Sequence, residues 1–462
     1  MADPAPWGSE ARAPFPHQDQ FLREFLRPDS SRDHVLVSPP GLGARWTISR
    51  LCEAVIGSSR GGVLILTQAA LVPEIHSSLK DLGNLVPVRS LDRESFREFR
   101  HSFSTSSLVN GVTIGSIDFA KRSDVRTALA QHLWSLVVLD ASALQGERRA
   151  LGQALRASPT VSRFLVVTDR RREDISWLDK PALTVWTHLG KDWDGRPLFS
   201  EQRLVVTEYL RSEAEQAVVA RVLSAIAELP PSQELLRSLW LAAASSSLAA
   251  LEQRLLAERE RLTGGKADPT WEVDDENTEI LAHPWRDSTA AMNALDAILD
   301  AIDSLPGDTK MKQLLAVLSE RHSGAVEPII ITTSYVATLH YLLAALRDAH
   351  YDPLAIHGGM TSNERERVTH SFREHGGILL MTRAVSANPA MSRAHVLINY
   401  DLPPSVDAME AQWPLIHRMG DRAAAEMLVL VDGSGASPLD QRIVALLRAF
   451  TQSAKLGYIP KP

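Results

Sequence analysis

Short apolar runs of strand type recur along residues 14–205: Val35–Val37, Val63–Thr67, Val112–Ser116, Leu136–Asp140 and Phe164–Thr168. Stretches of helical period separate them, the first being Thr47–Val55. Strand runs alternating with helices predict a parallel sheet with helices on both faces. The alternation stops near residue 205. Ser212–Leu229, Gln233–Leu262 and Ser288–Ile302 keep a helical period, with Gly264-Gly265 and the acidic run Asp274-Asp275-Glu276 reading as an exposed loop between them. Strand runs resume at Pro328–Thr332, Leu354–His357, Ile378–Met381, Val396–Tyr400 and Met427–Val431, and Leu439–Phe450 predicts a last amphipathic helix. The pattern divides the chain into a lead-in at 1–13, an α/β lobe at 14–205, a helical insert or linker at 206–312, a second α/β lobe at 313–435 and a tail at 436–462. No repeat of fixed period runs through it.

Composition narrows the class. A chain of 462 residues, 44% apolar, has the length and the core for two to three domains. The formal net charge of −7 supplies no overall basic field toward nucleic acid, which leaves a local basic groove open. The single cysteine, Cys52, excludes a disulfide within the chain and any Cys-cluster metal site. The 15 histidines show no ligand spacing, so no metal is expected. The proline-rich start lacks the apolar core of a signal peptide, and no stretch reaches about 18 uncharged apolar residues. A cytoplasmic protein with no membrane partner is expected.

Candidate chemistry begins after His34-Val35-Leu36-Val37, where residues 38–47 read Ser-Pro-Pro-Gly-Leu-Gly-Ala-Arg-Trp-Thr. A strand, a glycine turn and a helix start form the context of a nucleotide-phosphate loop. Gly41 and Gly43 would turn backbone N–H groups toward a phosphate at a helix N-terminus. Such loops also set a lysine on the β- and γ-phosphates and a Ser or Thr on magnesium. Those two places hold Ala44 and Arg45. Arg45 is longer than lysine and lacks its compact charge. Sliding the frame so that Arg45 and Thr47 act as the pair would insert a residue into a tight loop. By itself Gly-Leu-Gly is also an ordinary strand-to-helix turn.

The following stations give the loop its context. Ser116-Ile117-Asp118-Phe119, Lys121-Arg122, Trp134-Ser135 and the run Leu136–Asp140 resemble the Swi/Snf-type branch of superfamily-two helicases, in particular the bacterial RapA/HepA-like group. Pro16-His17-Gln18 resembles the adenine-reading glutamine motif, and Val63–Thr67 with Leu71-Val72-Pro73 resembles motif Ia. Phe164–Arg170 stands where that family writes Thr-Ala-Thr-Pro-His. Ile329–Thr333 resembles motif IV, and Ala355–Met360 with Glu364-Arg365 resembles the family's LHGGM segment. Ile378–Thr382 and His395–Pro403 frame motif V, and Glu410–Gly420 frames motif VI. The stations run in family order over roughly residues 12–435.

The resemblance implies two RecA-like parallel-sheet lobes with a helical insert, and the departures bear on activity. Asp140 keeps the first carboxylate of motif II, but the glutamate position is Ala141 and the histidine position Ser142. Motif V has Arg383 for its aspartate, then Ser386-Ala387-Asn388-Pro389-Ala390. In motif VI the first arginine finger is Leu415 and the second remains as Arg418. Pro414 would bend or shorten the helix that presents them. A finger contributes about a thousandfold or more. The reading is a helicase-like pseudo-ATPase: a clamp, adaptor or regulatory subunit without hydrolysis. A weak DNA-dependent ATPase or translocase is the alternative. No cofactor is required, with weak ATP and magnesium binding left open. Any nucleotide contacts would come from Gln18, Gly41, Gly43, Arg45, Asp140 and Arg418. His417 and Arg418 also read as a packed helix end. Partners would be nucleic acid, duplex DNA without sequence preference, or a protein in a larger complex. Lys121, Arg122, Arg170, Arg171 and Arg365, with Arg172 and Arg367, are the phosphate candidates, and each also reads as a solvated surface cation. Ala- and Arg-rich composition hints at a GC-rich bacterial source.

Overall fold

A computed structural model describes residues 13–39, 41–58, 61–72, 75–76, 79, 87–96, 111–140, 147–168, 176–187, 190–229, 234–263, 288–321, 327–383, 394–403, 405–436 and 457–461. Two compact units result. The first holds Met1–Phe199 and Met419–Asp421, and the second holds Ser200–Arg418 and Arg422–Pro462.

The first unit is built on a seven-stranded sheet of β1 (Asp33–Val37), β2 (Gly62–Thr67), β3 (Val88–Leu91), β4 (Val112–Ser116), β5 (Trp134–Asp140), β6 (Val161–Thr168) and β7 (Ala182–Val185). Their order is β3-β4-β2-β5-β6-β1-β7, and every pair is parallel. Parallel strands are joined by crossovers that leave helices on the faces, so both faces are buried. Alternation within β1 shows it: Leu36 enters one core with the helices Pro16–Leu26 and Ala44–Ser58. Val35 and Val37 enter the other, with Val125, Leu129, Leu151 and Leu155 from Ser123–Gln131 and Glu147–Ala157.

The second unit repeats the plan with β8 (Gln202–Tyr209), β9 (Ile329–Thr333), β10 (Leu354–Ile356), β11 (Ile378–Thr382), β12 (Val396–Asn399), β13 (Ala425–Asp432) and β14 (Gly457–Lys461). Their order is β10-β11-β9-β12-β13-β8-β14, again parallel throughout. Helices Thr309–Arg321 and Val336–Asp348 cover one face, and Ser362–His375 packs Phe372 on the other. Four helices, Glu213–Ala227, Glu234–Ser246, Leu248–Leu262 and Ser288–Asp303, bury a core of their own around Trp240.

This bundle is fastened to its sheet by buried polar groups. Lys310 Nζ donates to the Ser245 and Ser246 carbonyls at 2.6 and 2.9 Å. Glu215 closes a capping box with Ser212 and accepts from Thr309 N–H at 2.8 Å. Arg211 meets Asp432 at 2.8 Å.

All ten strand runs read from the sequence are strands here. The expected boundary at 205/206 falls inside β8, which runs whole in the second sheet. The long helical period over Gln233–Leu262 is two helices broken at Ser247, whose hydroxyl caps the second. The expected helix at Leu439–Phe450 lies outside the described residues.

Candidate nucleotide and nucleic-acid site

β1 ends at Val37, and Ser38 N–H extends its pairing to the Thr168 carbonyl at 2.8 Å. The turn then places Gly41 and Gly43 at φ of 89° and 78°, the left-handed region that favours glycine. A Cβ on Gly43 would stand 2.3 Å from Gln18 Nε2. Gln18 is 2% exposed, donates through Nε2 to the Leu42 carbonyl at 3.2 Å and accepts Phe15 N–H at 3.0 Å. His17 Nε2 donates to the same Leu42 carbonyl at 3.2 Å. His17 and Gln18 thus brace the glycine turn from within the lobe.

Helix Ala44–Ser58 begins where the lysine would stand, with Ala44 first and Arg45 second. Thr47 is fully buried, and its hydroxyl donates to the Gly43 carbonyl at 3.1 Å. The slid frame would need that hydroxyl on magnesium, so the geometry weighs against it. Asp140 closes β5, beside β2, and accepts the Thr67 hydroxyl at 2.8 Å. Ala141, Ser142, Arg170, Arg171 and Arg172 lie outside the described residues.

The phosphate candidates of the first lobe have acidic company. Lys121 Nζ stands 3.2 Å from Asp118, which Arg148 also grips at 3.0 Å. Burial works to raise the Asp118 carboxyl, but hydrogen bonds from Lys121 and Arg148 outweigh it and hold it below the usual range. Arg122 pairs with Asp124 at 3.2 Å and lies 5.3 Å from the Phe119 ring centroid. Exposed pairs of this kind contribute about 0–1 kcal/mol, so phosphate can compete for the cations.

In the second lobe the carboxyl ends of three strands are tied by one ion pair. Arg383 follows β11 and meets Asp401 Oδ2 at 2.8 Å, donates to the Asp401 carbonyl at 2.9 Å and reaches the Ser334 hydroxyl. Ser334 N–H, just past β9, donates to the same carboxylate at 2.8 Å. The sequence reading singled out Arg383 but not Asp401 or Ser334. Its signal was available: a cation in place of a buried carboxylate needs a compensating carboxylate, and Asp401 directly follows an apolar strand. The stretch Ser386–Ala390 lies outside the described residues.

Motif VI is not one helix here. A short helix, Val406–Glu410, gives way to a 3-10 turn, Trp413–Leu415, with Pro414 inside it. Leu415 is 2% exposed and belongs to the lobe's core. His417 is buried, accepting from Gln202 Nε2 at 2.9 Å and donating through Nε2 to the Ser200 carbonyl at 2.9 Å. Both ring nitrogens serve the lobe's own packing. Arg418 donates to the Ala394 carbonyl at 3.2 Å. Arg365 leans on the Met360 carbonyl at 3.1 Å, at the start of a helix closed by a Thr361–Glu364 capping box. Arg367 is exposed on the same helix.

Residues 309–423 match the helicase conserved C-terminal domain. The chain is 27% identical over 157 residues to DEAD-box ATP-dependent RNA helicase 40 of Oryza sativa subsp. japonica, covering 33% of this chain and 19% of that protein. It is 30% identical over 134 residues to DEAD-box ATP-dependent RNA helicase 56 of the same plant, covering 28% and 29%. The matched stretches thus span less than a third of either relative. Among solved structures, the Hef helicase domain of Pyrococcus furiosus superposes with a TM-score of 0.59 at 14% identity, over 93% of this chain and 98% of that one. Dbp5 of S. cerevisiae bound to RNA and ADP BeF3 gives 0.52 at 12% identity, over 97% and 90%. At such identities the structures speak for the fold. The named sequence relatives are DEAD-box proteins, and the Swi/Snf-type branch is not among them. The chain thus carries a stretch that matches the helicase conserved C-terminal domain, and its two all-parallel lobes share the fold of solved helicase structures.

Proposed function

We propose that the chain is a helicase-like nucleic-acid-binding protein without ATP hydrolysis, serving as a clamp, adaptor or regulatory subunit. The observation that carries this reading is the glycine turn that opens into Ala44 and Arg45 at the head of helix Ala44–Ser58. Without an ammonium on the β- and γ-phosphates, the loop keeps its backbone but loses its charge. The core position of Leu415 and the Ala141 substitution support the same conclusion. Catalytic groups act as a unit, so their losses do not multiply.

The narrower Swi/Snf-type reading rests on residues 111–144 and on the stations that run in order over roughly 12–435, and favours duplex DNA; the DEAD-box relatives favour RNA. Binding through phosphates would be independent of sequence, on the order of micromolar at physiological salt. On duplex DNA its log–log salt slope would be about −0.9 per phosphate neutralised.

ATP turnover, nucleotide binding and binding to duplex DNA and RNA, measured side by side on purified protein, test this. Binding with no stimulated turnover is expected. Stimulated turnover of about one per second or faster would overturn it in favour of a translocase. Absence of nucleic-acid binding even at low salt would leave only a protein-binding adaptor.

A further inference from the structure

Among the exposed large apolar side chains of the described residues, one is aromatic: Trp193, 64% exposed. It stands on a tight turn closed by the antiparallel bridge Lys191–Pro197. The turn is rigid. Asp192 N–H donates to the Arg196 carbonyl at 2.8 Å, and Gly195 N–H to the Asp192 carbonyl at 3.1 Å. Asp192 Oδ1 accepts from the N–H groups of Asp194 and Arg196 at 3.0 and 2.8 Å. The ring itself is pinned, because its indole N–H donates to the Pro14 carbonyl at 2.9 Å.

We propose that Trp193 is a stacking platform for an unpaired base of single-stranded nucleic acid. A held aromatic ring loses little freedom on stacking, and every base offers a π-face. The surroundings favour a base over a protein pocket. Lys191, Asp194 and Arg196 are exposed around the ring, whereas the buried centre of a protein interface is depleted of charge. Among the described residues, the Arg196 side chain is held by an exposed pair with Asp194 at 3.1 Å, weak enough for a phosphate to displace. Bases inside a duplex are already stacked, so the platform selects single strands or duplex ends.

This inference rests on the nucleic-acid reading above, and one experiment separates the two. Labelled oligo-dT, oligo-U and a covalently closed duplex DNA minicircle, which has no ends and no unpaired loop, are titrated by fluorescence anisotropy against the full chain, Trp193→Ala and Trp193→Phe. The expected result is that Trp193→Ala weakens both single strands about tenfold or more. Trp193→Phe, which also lacks the indole N–H, restores much of the affinity, and minicircle binding stays unchanged. The two oligonucleotides distinguish DNA from RNA as the single strand. Wild-type binding to single strands with no loss in Trp193→Ala overturns the platform while leaving the nucleic-acid reading intact. Failure of the wild-type chain to bind any of the three overturns both.

Discussion

At the scale of single residues, two side chains that the sequence singles out turn out to be packing groups of the second lobe. Leu415 stands where the resemblance would put an arginine finger, and it fills the second lobe's core. Leu415→Arg is therefore expected to unfold the lobe rather than restore a finger, and Leu415→Ala to cost about 2–5 kcal/mol, read from urea unfolding. Arg383 and Asp401 form a pair that is 16% and 8% exposed. Arg383→Ala would strand a buried carboxylate and cost about 3 kcal/mol, whereas Arg383→Met with Asp401→Leu should recover much of that loss. A double variant as unstable as Arg383→Ala would show that the pair does more than compensate charge. Identity at such positions is legible in sequence, but burial is not. Nothing in the string Trp-Pro-Leu says that the leucine faces inward, and the proline supplies only a hint that the helix is interrupted.

Most interior strands were legible. Nine of the ten runs read are interior strands, covered on both faces, and stand out in any window; the tenth, β10, is an edge. The strands left unread are β3, β7, β8 and β14. β3, β7 and β14 are edges, with one neighbour each. β3 and β7 carry polar alternation that a short window cannot distinguish from a loop. The brace of the glycine turn was likewise invisible, since Gln18 and Gly43 meet only in space. Gly43→Ala must leave the left-handed region and displace Gln18, a change expected to cost about 1–3 kcal/mol in melting experiments. The first lobe also carries a pH dependence. Burial lowers the pKa of His17, in helix Pro16–Leu26, and of His34, in β1, and so disfavours their protonation in the folded chain. The unfolded chain takes up those protons near pH 6.5, so stability is full above about that pH and declines as pH falls below it. Melts across this range should show the decline, and it should shrink in His34→Gln, whose ring otherwise lies 4.4 Å from Phe25. A pH-independent wild-type midpoint would contradict it.

At the scale of the whole molecule, the bundle belongs to the second unit in structure although it precedes most of that unit in sequence. Lys310, Glu215 and Arg211 fasten it there. A fragment beginning at Ser200 is expected to unfold cooperatively, with bundle and sheet melting together. A fragment beginning at Ser212 lacks β8, an interior strand between β13 and β14, and should not fold. Separate transitions for bundle and sheet in the longer fragment would refute this, as would a folded shorter one. The boundary was misplaced in the sequence because Leu204-Val205-Val206 continues the strand pattern of the first lobe without a break. Which sheet a strand joins is decided by pairing with residues far along the chain.

That distant pairing has a consequence during synthesis. β8 leaves the ribosome well before β13, its parallel neighbour in the register Gln202↔Ala425 to Tyr209↔Asp432. At about 5–20 residues per second, the wait is roughly 10–40 s. Through that interval an apolar strand has both edges open, with the bundle emerging after it. Strand order alone thus leaves the nascent chain with an unpaired, aggregation-prone edge for that interval.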